Sequence, residues 1–122
     1  MKKILIILFT LISFNTFALV RSTTFSNEIF NKAQAEGKTV VINSWNKTCS
    51  TCSKQVKILN EAEKEFTDIL FLSFEQTKDK EIAKLLDIEY WTTIVVYKDS
   101  KEVSRTIGQT NKSKIYSQFN SL

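Results

Sequence analysis

The chain has 122 residues, with 17 Lys and Arg against 13 Asp and Glu, a net charge of +4, two Cys, no His and no Pro. That size holds one small core rather than two domains. So weak a positive balance gives no electrostatic footprint for nucleic acid, and without His a conventional zinc site in a single chain lacks ligands.

The chain opens Met1-Lys2-Lys3, runs through an apolar stretch from Ile4 to Ile12, and reaches small residues near Ala18. This is the three-part pattern of a secretory signal peptide, and the apolar run is shorter than the roughly 20 residues a spanning helix needs. We therefore expect residues 1–18 to be a signal peptide cleaved after Ala18, and residues 19–122 to be a single exported domain. Attachment to a membrane is expected only if the segment stays uncleaved. Loss of Lys2 and Lys3 leaves 15 basic against 13 acidic side chains. An exported chain with two Cys suits an oxidising compartment, here a bacterial periplasm, and the Lys-, Ile- and Asn-rich composition agrees with a bacterial source.

Ser26 has the character of a helix N-cap, Phe25 and Phe30 stand at staple spacing around it, and Gly37 is a stop, so a first helix is predicted over 26–36. The β-branched run 39–45 reads as a strand buried on both faces. A second helix is predicted over 50–66, because Cys52, Val56, Leu59, Ala62 and Phe66 recur at helical spacing. Residues 69–75 read as another central strand. A short third helix opened by Thr77, Asp79 and Glu81 follows, then a hairpin with strands 93–97 and 102–107 around the turn 98–101. Beyond Gly108, Thr110 or Asn111 caps a last helix with Ile115, Phe119 and Leu122 on its apolar face. The order is αβαβαββα.

The two Cys stand in Cys49-Ser50-Thr51-Cys52, at the junction between the first strand and the second helix. A helix start offers unpaired N–H groups and the positive end of a dipole, which favour thiolate over thiol at Cys49. Cys52, one turn on, lies on the buried face and is placed to attack a mixed disulfide formed at Cys49. A loop this short is an inefficient structural staple. Redox chemistry is therefore the favoured reading, with an inert or structural pair as the plain alternative.

The element order, with CxxC opening the helix after the first central strand, resembles the thioredoxin fold: an α/β domain with a central mixed sheet flanked by helices on both faces. The resemblance implies that Cys49 is the nucleophile and Cys52 the resolving thiol of a reversible Cys49–Cys52 disulfide. It makes Trp45 an aromatic shield under the motif, and Ile107-Gly108 the strand end beside it. It also implies client proteins bearing thiols or disulfides, a redox partner protein, no cofactor, no metal and a monomer. Tyr90, Trp91 and Thr92 would line the client-docking side, with the client extended beside residues 90–92.

Three departures from the family pattern bear on function. Thr92 occupies the position of the family's cis-proline, and because a cis bond before a non-proline costs about 2.5–4 kcal/mol, a trans Trp91–Thr92 bond and a reshaped loop are expected. The Thr92 hydroxyl either hydrogen-bonds the Cys49 thiolate or completes a turn. Asn43 stands where many thioredoxins bury an aspartate, and Ser73 where that aspartate's lysine partner sits, so both charges are lost together. An amide is no base, so proton removal from Cys52 must go through water or a different group, and reduction of substrates is expected to be slower at neutral pH. Ser50 and Thr51 place two hydroxyls between the cysteines, available to cap the helix or bond a sulfur but adding no charge. Lys47 and Lys54 flank the motif. The leading expectation is an exported thiol:disulfide oxidoreductase; the alternatives are a non-catalytic thioredoxin-like binding module and a soft-metal or cluster site shared by two chains.

Overall fold

The computed structural model describes residues 24–120. The expected signal segment and Leu122 lie outside the described residues.

The elements follow the predicted order: α1 (Asn27–Ala35), β1 (Thr39–Trp45), α2 (Ser50–Glu65), β2 (Ile69–Glu75), α3 (Lys80–Leu85), β3 (Thr93–Lys98), β4 (Lys101–Ile107) and α4 (Lys112–Asn120). The four strands form one sheet in the order β2-β1-β3-β4. The strand over 69–75, expected to be central, instead ends the sheet beside β1, with an isolated bridge from Ser73 to Thr24 on its outer side. β1 runs parallel to β2 and antiparallel to β3, and β3 pairs antiparallel with β4. This is the mixed sheet of the thioredoxin fold.

Side chains alternate along β1, β2 and β3 and divide the core into two layers. Val40, Ile42, Leu72, Phe74 and Val95 pack with Phe30 and Ala33 of α1 and with Ala83 and Leu86 at α3. Val41, Phe71, Ile94 and Val96 pack on the other face with Leu59 and Ala62 of α2 and Ile115 and Phe119 of α4. Both faces of β1 are thus covered, which is why its sequence is apolar almost without interruption.

Local signals explain the ends of the elements. Ser26 Oγ accepts from Ile29 N at 3.1 Å, and the Phe25 and Phe30 rings meet at 5.3 Å, so α1 opens with a side-chain cap and a hydrophobic staple. Asn111 Oδ1 accepts from Lys114 N at 3.0 Å and caps α4. α3 starts later than its Thr77 signal suggests. The Thr77 hydroxyl instead accepts from Asn46 Nδ2 at 3.3 Å, and Asp79 becomes the N-cap residue without a side-chain bond. Asp99 and Ser100 have φ of 50° and 63°, the left-handed pair that a tight two-residue hairpin turn needs. β4 is an edge strand. The ladder register shifts at Val96/Tyr97, with Ser104 and Glu102 as their partners and Val103 bulged between them.

Candidate functional site

The site forms where β1 ends. Trp45 O accepts from Gln76 N at 2.9 Å, which holds the strand end against the chain leaving β2. The chain then turns on Asn46, whose Oδ1 accepts from Thr48 N at 2.9 Å and from Thr48 Oγ1 at 2.8 Å. An Asx turn of this kind delivers Cys49 to the start of α2 in an extended conformation, φ −98° and ψ 111°.

Cys49 is itself the N-cap residue. Its Sγ accepts from Cys52 N at 3.1 Å, one of the donors that a helix start leaves unpaired. The hydroxyls of Ser50 and Thr51 do not supply the cap, because both residues already lie inside the first turn of α2. Cys49 and Cys52 are joined as a disulfide with Cα atoms 5.2 Å apart. Cys52 is 2% exposed, whereas Cys49 is half-buried, so one sulfur faces the approach and the other faces the core. Lys47 and Lys54 are both exposed.

Under α2 lies a polar layer built from amides. Asn43 is 1% exposed and faces α2 from β1, and its Nδ2 donates to Gln55 Oε1 at 2.6 Å, with longer bonds to Ser44 O at 3.3 Å and Thr93 O at 3.4 Å. Gln55, one turn beyond Cys52, is fully buried; its Nε2 donates to Thr92 O at 3.1 Å and Gln109 O at 3.0 Å. Asn43 Oδ1 is buried with no hydrogen-bond partner. Ser73 is the register partner of Asn43 across β1 and β2, so the two polar residues stand side by side in the sheet.

The loop between α3 and β3 closes the site from the opposite side. Thr92 is buried, and no cis peptide bond occurs among the described residues, so the Trp91–Thr92 bond is trans. Cys49 Sγ takes its hydrogen bond from Cys52 N and not from the Thr92 hydroxyl in this disulfide state. Ser44 Oγ donates to Tyr90 O at 3.3 Å and accepts from Thr93 N at 3.1 Å; Thr93 Oγ1 also donates to Tyr90 O. Gly108 has φ +68°, and its N donates to Thr92 O at 3.1 Å. A side chain on Gly108 would meet Thr92 Oγ1 at 4.0 Å. With its backbone fastened, the loop presents Tyr90 at 59% and Trp91 at 46% exposure. Trp45 is half-buried at the end of β1, and a 280 Å³ hollow beside it is lined by Lys47, Ser73 and Lys78 among others.

Sequence reasoning missed Gln55, Asn46 and Gln76. Gln55 carries a usable signal, since it sits inside the stripe Cys52, Val56, Leu59 and Ala62 that faces the core, where a polar residue needs buried partners.

Comparison with known proteins gives one consistent answer. The thioredoxin family model matches residues 17–121. The chain is similar to a thioredoxin of Mycoplasma genitalium, 31% identical over 83% of this chain and 95% of the relative. An H-type thioredoxin of Fagopyrum esculentum is 29% identical over 67% of this chain and 71% of its own length. Among solved structures, Trxlp from Edwardsiella tarda superposes with a TM-score of 0.75 at 22% identity, covering 79% of this chain and 95% of that one, which supports the fold.

Proposed function

This chain belongs to the thioredoxin family, and from that premise we propose that it is an exported thiol:disulfide oxidoreductase acting on client proteins. The observation that carries the reading is the pair itself: a half-buried Cys49 capping α2 and a buried Cys52 one turn on, joined as a disulfide.

In the reducing direction, the Cys49 thiolate attacks one sulfur of a client disulfide. A Cys49–client bond forms and the other client sulfur leaves as thiolate. Cys52, having lost its proton, attacks Cys49 Sγ, forms the Cys49–Cys52 bond and expels the second client thiolate. The client gains two electrons and two protons, and a dithiol redox partner returns them to the protein. Exchange run in reverse donates the disulfide.

The helix start stabilises the attacking thiolate through its N–H groups and dipole. Tyr90 and Trp91, exposed on a fastened backbone, form the docking side for an extended client, and buried Thr92 sets the loop behind them. Export to the periplasm rests on the basic-then-apolar start of residues 1–18. The non-catalytic module and the metal site shared by two chains are not favoured, since the cysteines pair with each other and the relatives are thioredoxins.

Insulin disulfide reduction tests the reading. Cys49→Ser is expected to abolish it, and Cys52→Ser to accumulate covalent mixed disulfides with client protein. Equal turnover by Cys49→Ser and the parent would sink the proposal. The reduction potential then assigns direction: about −270 mV marks a reductant and about −120 mV a disulfide donor.

A further inference from the structure

We propose that Gln55 is a positioning residue: it locks the helix bearing Cys49 and Cys52 to the 88–93 loop and to Gln109, and so holds the client-docking side of the site in register without a proline. The exchange arm of this proposal rests on the oxidoreductase reading above; its structural arm does not.

The loop has no proline to stiffen it, because the chain has none. Its carbonyls are instead held by side-chain donors. Gln76 Nε2 takes Ile88 O at 3.4 Å and Glu89 O at 2.9 Å, Ser44 and Thr93 take Tyr90 O, and Asn43 Nδ2 reaches Thr93 O. Thr92 O receives Gln55 Nε2 as well as Gly108 N. Of these donors, Gln55 alone lies on α2, the helix that carries the cysteines.

Its donors are fully committed. Both Nε2 protons are used, on Thr92 O and Gln109 O, and Oε1 accepts the short bond from Asn43 Nδ2. The side chain is shut off from water, so each lost bond leaves a buried polar group unpaired rather than hydrated. Gln55 also follows Cys52 by three residues on the same buried face of α2. Any slide of the cysteines relative to Trp91 and Thr92 therefore has to break the Gln55 bonds. The clamp fixes the distance between the attacking sulfur and the docking loop while leaving Tyr90 and Trp91 free to meet a client.

Two variants test this. Gln55→Met keeps the length but has no donor, and Gln55→Glu keeps the shape but donates only when its carboxyl is protonated. Kinetics on insulin and hydrogen-exchange protection of the Thr93 and Gly108 amides in the disulfide form are the readouts. Gln55→Met is expected to raise KM about 10-fold, with a smaller change in kcat, and to lower protection at both amides. Gln55→Glu is expected to keep part of the parent's protection at acid pH, where the protonated carboxyl still donates one of the two bonds, and to lose it as pH rises through the buried carboxyl's pKa. The parent has no such transition, because Asn43, Thr92 and Gln109 do not titrate and the cysteines one turn away are a disulfide. Parent-like KM and protection in Gln55→Met, or pH-independent protection in Gln55→Glu, overturns the proposal. Should Gln55→Met not fold, the pH profile of Gln55→Glu decides alone. A parent that fails to reduce insulin removes the oxidoreductase reading, and the protection pattern still decides the role of Gln55.

Discussion

Asn43 is held by what it donates. Its Nδ2 faces three acceptors, Gln55 Oε1, Ser44 O and Thr93 O, and the Gln55 amide cannot turn to answer a change because its own protons are committed to Thr92 O and Gln109 O. Asn43→Asp places an acceptor-only carboxylate among those acceptors, in a position closed to water. Protonated, the carboxyl donates one bond to Gln55 Oε1; ionised, it donates none. Its folded-state pKa is therefore raised above the unfolded value of about 3.9, so the fold is spared below that value and loses stability as pH climbs toward the raised folded pKa. We expect Asn43→Asp to be about 2–4 kcal/mol less stable than the parent at pH 7, recovering toward parent near pH 4. Urea unfolding at the two pH values measures this, and an equal deficit at both would show that the donors of Asn43 do not matter.

At the level of elements, α1 carries no part of the site and offers a clean separation of stability from function. Its cap is a single bond from Ile29 N to Ser26 Oγ, backed by the Phe25–Phe30 contact. Ser26→Ala is expected to cost about 1 kcal/mol in chemical denaturation while leaving insulin turnover unchanged. That cap was legible in the sequence, and so was β1, whose short, β-branched and almost continuously apolar run is what a strand covered on both faces requires. The core face of α2 was legible as an apolar stripe. Less legible were the features in which a polar side chain trades a local role for a distant partner. Thr77 reads as a helix cap and instead bonds Asn46, and Val103 reads as an ordinary strand residue although it bulges from the edge of the sheet. The cysteines announced themselves by spacing. Gln55 did not, because its partners lie 37 and 54 residues further along the chain and no local pattern names them.

For the whole molecule, the redox state of one bond and the stability of the fold are linked by a single cycle. Whatever the disulfide adds to the folded state relative to the unfolded chain shifts its reduction potential by the same free energy, with about 30 mV for each 1.4 kcal/mol. Closing so short a loop constrains the unfolded chain by about 2 kcal/mol. The described site places no charged partner on either sulfur: Cys49 Sγ receives one backbone N–H, and Cys52 is buried. The amide layer of Asn43 and Gln55 beneath them is neutral, so the dithiol form gains only what the helix start gives a Cys49 thiolate. We expect the oxidised protein to be more stable than the reduced one by about 2 kcal/mol, and its potential to lie about 40 mV below that of the same cysteines in the unfolded chain. Paired unfolding curves with and without dithiothreitol, set beside a thiol-exchange equilibrium, measure both sides of the cycle. A reduced form more stable than the oxidised one would mean that the helix start outweighs loop closure, and would make the folded protein a donor of its disulfide.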